Sequence, residues 1–353
     1  MGLPAVKIVV DIGHPAHVHL FKYFIWEMGK RGHEVLITAT NKDVSLELLD
    51  NYGFDYIAMG SYGNSLMKKL INVPIMDCKM YKVVKGFKPD ILVGAGSIRA
   101  AHVSKLIRKP CIVFDDTEHS KFEHILYRPF TDAILTPFCF NKDFGKKQIR
   151  YNGYHELAYL HPNYFRPDSS IYNELGISAT EKYVVLRFNA FDAFHDIGKQ
   201  GFSLADKHCL VRELEKHCRV FISDEGSLPQ DLECYKLPIP YERIHHALYF
   251  AQLVVSDTQT LTAEAAILGT PAIRCNNFVG TNDMGNFIEL EQKYGLIYCF
   301  RDSKKAIQKA VELASRPDLK QEWAIKSQRL LADKIDVTQF IASFIEDLAE
   351  GRY

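Results

Sequence analysis

The chain has 353 residues, of which 47% are hydrophobic and 24% charged, with 43 Lys plus Arg against 43 Asp plus Glu. That length exceeds the ~250–300 residues at which a single core stops growing, so two globular domains are expected. The balanced charge leaves no global field for nucleic acid, which is excluded as a general partner, and no apolar run reaches the ~18 residues that span a bilayer.

The first elements alternate between strand and helix. The run "VKIVVDI" (6–12) reads as a strand covered on both faces. Val18, Phe21, Ile25 and Met28 then recur at helical spacing, with Gly32 as the stop. "HEVLITAT" (33–40) is the second strand, and Leu46 and Leu49 lie on a short helix ended by Gly53. "FDYIAM" (54–59) is the third strand. A basic helical stretch follows from about Ser65 to Lys85, then strands at "PDILVGAG" (89–96), "KPCIVFDD" (109–116) and "DAILTP" (132–137). Short loops between strands and helices imply right-handed βαβ units and a parallel sheet.

Periodicity breaks over "YNGYHELAYLHPNYFRPD" (151–168), which is read as the domain boundary. A second alternation has strands at 182–189, 219–224, 251–257, 270–275 and 295–300, and the chain is helical from Ser303 onward. The expected fold is α/β, with two Rossmann-like doubly wound parallel-sheet domains facing across a cleft. The expected units are an N-terminal domain over 1–155, a second domain over 165–335, and a terminal helix over 336–353. The cysteines, at 78, 111, 139, 209, 218, 234, 275 and 299, form no CxxC pair. They read as reduced thiols of a cytoplasmic protein, and the N-terminus enters a strand without a signal-peptide pattern.

In doubly wound sheets ligands bind outside the carboxyl ends of the strands, so the residues there are the candidates. The first strand delivers "DIGHPAHVHLFK": Gly13 permits close backbone approach at a helix N-terminus, and His14, His17 and His19 follow. The histidines are read as lining the cleft, as metal ligands at i,i+3 spacing, or as filling a turn. "GAGSIR" (94–99) offers two glycines and the capping Ser97. "DDTEH" (115–119) gathers Asp115, Asp116 and Glu118 as candidates for acid/base work or a divalent cation, with a solvated acidic loop as the plain alternative. "LRFNAFDAFHDIG" supplies Arg187, Asn189, Asp192, His195 and Asp196, where Arg187 suits a phosphate and His195 a base. In "SDTQTLTAEAAILGTPAIRC", Thr258, Gln259 and Thr260 precede a helix whose N–H groups can hold an anion. Glu264 lies one turn further on the same face, and Arg274 stands in the next strand.

The segment "SDTQTLTAEAAILGTP" resembles the phosphate- and ribose-binding segment of UDP-N-acetylglucosamine 2-epimerases and, more loosely, of GT-B glycosyltransferases. The resemblance implies phosphate binding at Thr258 and ribose binding at Glu264, with Gln259 and Thr260 in place of the family's glycine pair. A catalytic glutamate of the epimerases falls on Glu118. Their aspartate after the fourth strand falls on Gly96, and their catalytic histidine has no match beyond the loop from Asn189 to His195. Over nearly its whole length the chain is also similar to the family catalogued as domain of unknown function 354, through "DIGHPAHVHLFK", "FDDTEH" and "DMGNFIELEQKYGL". That similarity implies the GT-B fold and a terminal helix crossing back to the first domain.

The expected function is a metal-independent GT-B glycosyltransferase-like enzyme acting on a nucleotide-diphosphate sugar, which the resemblance of the segment 256–271 implies to be UDP-linked, in surface polysaccharide or glycoconjugate synthesis. The second domain would bind the donor through Arg187, Asn189, Thr258, Gln259, Thr260, Glu264 and Arg274. Gly13 of the first domain is a further binding residue, and His14, His17, Glu118 and His195 would serve catalysis. The alternatives are a nucleotide-sugar epimerase, a metal-dependent hydrolase using His14, His17, Asp115 and Asp116, and a non-catalytic nucleotide-sugar binder. The sugar nucleotide is substrate and no cofactor is expected. The acceptor is open, a glycan or a lipid-linked group. Lys68, Lys69, Lys79, Lys82, Lys85 and Lys88 are read as a solvated helix face or as a contact with an anionic lipid-linked acceptor.

Overall fold

The computed structural model describes residues 5–63, 66–188, 201–223 and 228–352. The chain divides into two compact units, Met1–Tyr164 with Ile335–Tyr353, and Phe165–Lys334.

In the first unit seven parallel strands form one sheet in the order β3-β2-β1-β4-β5-β6-β7. They are β1 (Lys7–Ile12), β2 (Glu34–Thr40), β3 (Tyr56–Gly60), β4 (Ile91–Ala95), β5 (Cys111–Phe114), β6 (Ala133–Pro137) and β7 (Gln148–Tyr151). Ile8, Val9, Val10 and Ile12 on β1 are fully buried, because helices cover both faces of a parallel sheet. The chain runs outward from β1 to β3, then returns to the other side of β1 as β4. The switch point therefore lies where β1 and β4 end, at Gly13–His14 and Gly96–Ser97. Gly94 on β4 has no room for a side chain: a Cβ there would sit 2.7 Å from the Ser97 Cβ and 3.2 Å from the Asp11 carbonyl oxygen.

The terminal helix Val337–Ala349 belongs to this unit. Its Thr338 hydroxyl donates to the Ala158 carbonyl (2.7 Å), and Glu346 accepts from Arg31 (2.7 Å).

In the second unit five parallel strands follow the order β12-β11-β10-β8-β9. They are β8 (Tyr183–Arg187), β9 (Arg219–Ser223), β10 (Leu253–Ser256), β11 (Ala272–Cys275) and β12 (Ile297–Phe300). β10 and β11 are buried throughout and β8 nearly so, whereas β12 at the sheet edge is mostly half-buried. Here the switch point falls where β8 and β10 end, at Arg187 and Asp257. Both sheets are doubly wound, and the fold class is α/β of the GT-B type with two Rossmann-like domains.

Candidate functional site

The carboxyl edge of the first sheet is densely ionisable. Asp11, the last polar residue of β1, is buried and accepts four kinds of donor: Thr38 Oγ1 (2.6 Å), Ser97 Oγ (2.5 Å), Arg99 Nε (2.9 Å) and Arg99 Nη2 (2.6 Å). These bonds pin β2, β4 and the helix Ile98–Ile107 to β1. Ser97 also caps that helix by accepting from the Ala100 N–H.

This frame presents the turn at Gly13. His14 is the N-cap of the helix Pro15–Lys30, and its Nδ1 accepts from the Ala16 N–H at 3.2 Å. His17 Nδ1 accepts from the Gly13 N–H at 3.2 Å. Burial, with His14 and His155 nearby, lowers the His17 pKa to about 3, so the ring is neutral at neutral pH. His19 faces elsewhere. It is buried, with its ring 5.4 Å from that of Tyr159 and its Nδ1 3.4 Å from the Tyr52 hydroxyl. The three histidines read together in the sequence thus separate into two at the sheet edge and one in the packing.

The acidic run after β5 divides in the same way. Asp115 points inward: it accepts from the Tyr127 hydroxyl and the Thr117 N–H (2.8 Å), and His124 Nε2 lies 2.9 Å away. Asp116 turns to the edge, where its Oδ2 lies 3.1 Å from His155 Nδ1 and its Oδ1 accepts from Thr117 Oγ1 at 3.1 Å. The imidazole lowers the Asp116 pKa, and the carboxylate raises that of His155, each overcoming the cost of burial. Glu118 is buried, and its Oε1 accepts from the Asn141 N–H at 3.1 Å. With Asp115 committed to Tyr127 and Thr117, the proposed set of His14, His17, Asp115 and Asp116 does not converge. Among the described residues no group of three or more His, Cys, Asp or Glu is arranged to hold a metal ion.

His155 was not singled out in the sequence. It lies four residues beyond β7, inside the stretch taken as linker. The available signal was the short strand "QIRY", whose carboxyl end places His155 at the same sheet edge as Asp116.

At the second switch point the chemistry is mostly neutral. Arg187 is half-buried, and its Nη1 donates to Ser223 Oγ at 2.8 Å. After β10, Ser256 Oγ accepts from the Thr258 N–H (2.8 Å) and lies 2.8 Å from Thr258 Oγ1. The helix Thr260–Ile267 then begins with no side chain capping it. Thr258 and Gln259 are half-buried and Thr260 is exposed, while Leu261 and Thr262 are buried, so the positive end of the helix dipole is open at Thr260. Gly201 closes over this strand end. A Cβ there would fall 2.5 Å from the Asp257 side chain.

Two of the donor residues are elsewhere than expected. Arg274 is fully buried, paired with Asp283, and its guanidinium carbon lies 3.8 Å from the centroid of the Phe287 ring. It stands level with Ser256 at the end of β10, and its burial and its pairing with Asp283 are what engage it. Glu264 is also buried, and its Oε1 lies 3.0 Å from His245 Nε2. Asn189 and His195, with Asp192 and Asp196, lie outside the described residues.

Two parallel sheets with polar turns at both switch points define the class: a GT-B protein whose candidate site lies at strand carboxyl ends. The chain belongs to the family described as protein of unknown function (DUF354), whose model matches residues 6–311. An uncharacterized protein of Methanocaldococcus jannaschii is 26% identical over 281 residues, covering 76% of this chain and 82% of that protein. The UDP-N-acetylglucosamine–N-acetylmuramyl-(pentapeptide) pyrophosphoryl-undecaprenol N-acetylglucosamine transferase of Desulfotalea psychrophila is 31% identical over 126 residues, covering 32% of this chain and 34% of the transferase. A solved structure of a candidate UDP-N-acetylglucosamine 2-epimerase from Listeria monocytogenes matches with a TM-score of 0.71 at 13% identity, over 99% of this chain and 98% of that one. Glycosyltransferases and UDP-N-acetylglucosamine 2-epimerases are both represented among the solved chains of this fold. At such identities the likeness is one of fold. Among the described residues no helix is long and apolar enough to cross a membrane.

Proposed function

We propose that the protein is a glycosyltransferase-like enzyme acting on a nucleotide-diphosphate sugar. The second unit holds the nucleotide diphosphate. The observation that carries the reading is the uncapped start of the helix Thr260–Ile267 at a switch point, with half-buried Thr258 and Gln259 before it. Unsatisfied N–H groups and a positive dipole end favour a diphosphate there, and Arg187 from the neighbouring strand adds a full positive charge. Helix dipole and guanidinium can stabilise the leaving diphosphate without a metal. Glu264 and Arg274 are left out of this donor site because both are buried in pairs of their own.

The transferase reading is preferred to 2-epimerisation for one reason. The position that matches the epimerase aspartate is Gly96, whose φ of +53° favours a glycine and which brings no carboxyl group. Glu118, the other matching position, is retained. The likeness to the transferase of Desulfotalea psychrophila spans about a third of that protein, so its acceptor is not carried over.

The test is a melting-temperature screen of the full chain with UDP, dTDP, GDP, ADP and the corresponding monophosphates. A ligand held by the native state at 100 times its Kd adds about 2.7 kcal/mol of stability. We expect one or more nucleoside diphosphates to raise Tm by several degrees, and the matching monophosphate to raise it less. No shift with any diphosphate contradicts the reading.

A further inference from the structure

In the first unit the helices Leu66–Phe87, Ile98–Ile107 and Lys121–Tyr127 cover one face of the sheet. Their inner sides pack on it. Met76, Met80 and Val84 of the first helix, Ala100, Ala101 and Val103 of the second and Tyr127 of the third share one buried cluster with Val9, Leu92 and Val113 of the strands. A helix that has buried one stripe ordinarily turns polar side chains to the other side. Here the outward side carries large apolar groups. Ile71 and Ile75 are 62% and 48% exposed, Leu106 on the second helix 66% and Ile125 on the third 72%. Scattered exposed apolar residues are ordinary. Among the described residues, however, three of the four most exposed large apolar side chains stand on these neighbouring helices.

His102 joins the three helices side by side. On the second helix, its Nδ1 lies 2.7 Å from Asp77 Oδ2 of the first, and its Nε2 lies 3.1 Å from the Leu126 carbonyl oxygen of the third. Its ring is 4.7 Å from that of Phe130, itself 39% exposed. Charge is sorted onto the same layer. The three helices hold seven Lys against two acids, Asp77 and Glu123, in a chain that is neutral overall, and Asp77 is taken up by His102. On the first helix the exposed Lys82 and Lys85 continue the stripe of Ile71 and Ile75 at helical spacing, opposite Met76, Met80 and Val84.

We propose that this helical face docks the protein on a bilayer surface containing anionic phospholipid. The combination of apolar and basic side chains selects that partner. Ile71, Ile75, Leu106 and Ile125 leave water for the boundary between headgroups and acyl chains, and the lysine ammoniums reach along their stems to the lipid phosphates. A nucleic acid would engage the lysines and leave the four apolar side chains wet. A second copy packed face to face about a twofold axis would cover the isoleucines but set lysines against lysines. The docking needs no nucleotide, so a chain that fails to bind UDP still tests it.

Co-sedimentation of the full chain with sucrose-loaded vesicles is the test. Vesicles of phosphatidylglycerol mixed equally with phosphatidylcholine are compared with phosphatidylcholine alone, at about 0.1 M salt. We expect partitioning to the anionic vesicles to exceed that to the neutral ones by about tenfold or more. The double variant K82E/K85E should lower it by about tenfold or more, since each lysine near an anionic leaflet is worth about fivefold in binding. I71Q/I75Q keeps every charge and should also lower it by about tenfold or more, through lost apolar contact with the bilayer. Both pairs replace exposed side chains, so Tm should match that of the wild type; if I71Q/I75Q melts lower, L106Q/I125Q makes the same apolar test on the other two helices. Absence of binding to anionic vesicles overturns the proposal. So does undiminished binding by the apolar variants, which would mean adhesion through charge alone, equally open to an RNA or an acidic protein. A wild-type dimer in sedimentation equilibrium that I71Q/I75Q dissolves, with no vesicle binding, would assign the face to a second copy and overturn it as well.

Discussion

At the carboxyl edge of the first sheet, charge is abundant and largely paired within the edge. Asp11 is locked to Arg99, Ser97 and Thr38, Asp115 to Tyr127 and Thr117, and Asp116 to His155. At the corresponding edge of the second sheet the turn is made of Ser256, Thr258, Gln259 and Thr260, and a helix begins without a cap. The same βαβ architecture has been finished in two ways. One edge invests in fixed proton donors and acceptors, the equipment of bond making and breaking. The other leaves backbone N–H groups unclaimed, which suits a ligand that brings its own negative charge.

Removing a charge should therefore damage the two edges differently. The largest effect on stability is expected from Asp11→Ala, which strands a guanidinium that is 1% exposed in the interior. Unfolding in urea should show a loss of about 3–5 kcal/mol. A loss below 1 kcal/mol would mean that the network at β1 is incidental. A smaller effect belongs to His17. Its folded pKa is depressed to about 3, against about 6.5 in the unfolded chain. The unfolded state then binds the extra proton as pH falls below 6.5, so native stability is present above that value and erodes through the window from 6.5 to 3. His17→Gln should flatten this acid limb by up to about 2 kcal/mol between pH 6.5 and pH 5. Urea midpoints of the two proteins at those two pH values measure it, and parallel losses would show that His17 is not held neutral.

The two edges were also unequally legible in the sequence. All five strands of the second sheet could be read directly, since β8 to β12 are apolar runs without alternation. The Thr258–Thr260 turn followed from its position after one of them. In the first sheet β7 escaped notice. "QIRY" is four residues long, sits at the sheet edge and is only half-buried, so neither alternation nor an apolar run marks it. His155 was lost with it, in a segment that had seemed aperiodic. The pairing of Asp116 rather than Asp115 with that histidine, and the burial of Arg274 and Glu264, depend on which way side chains turn once strands are in register. A list of residue types at strand ends does not carry that information.

The account stands or falls on the open helix start of the second unit, and Thr260→Asp tests it with two opposite signs. Thr260 is exposed and is the first residue of the helix, so a carboxylate there meets the positive dipole end and should leave stability equal or raised by about 0.3–1 kcal/mol. The same carboxylate occupies and repels the diphosphate position. Titration calorimetry of the full-length wild type and Thr260→Asp with UDP is the measurement. We predict binding to the wild type and at least a tenfold weaker Kd in a variant that melts no lower; equal affinity in both would contradict a diphosphate site at this helix.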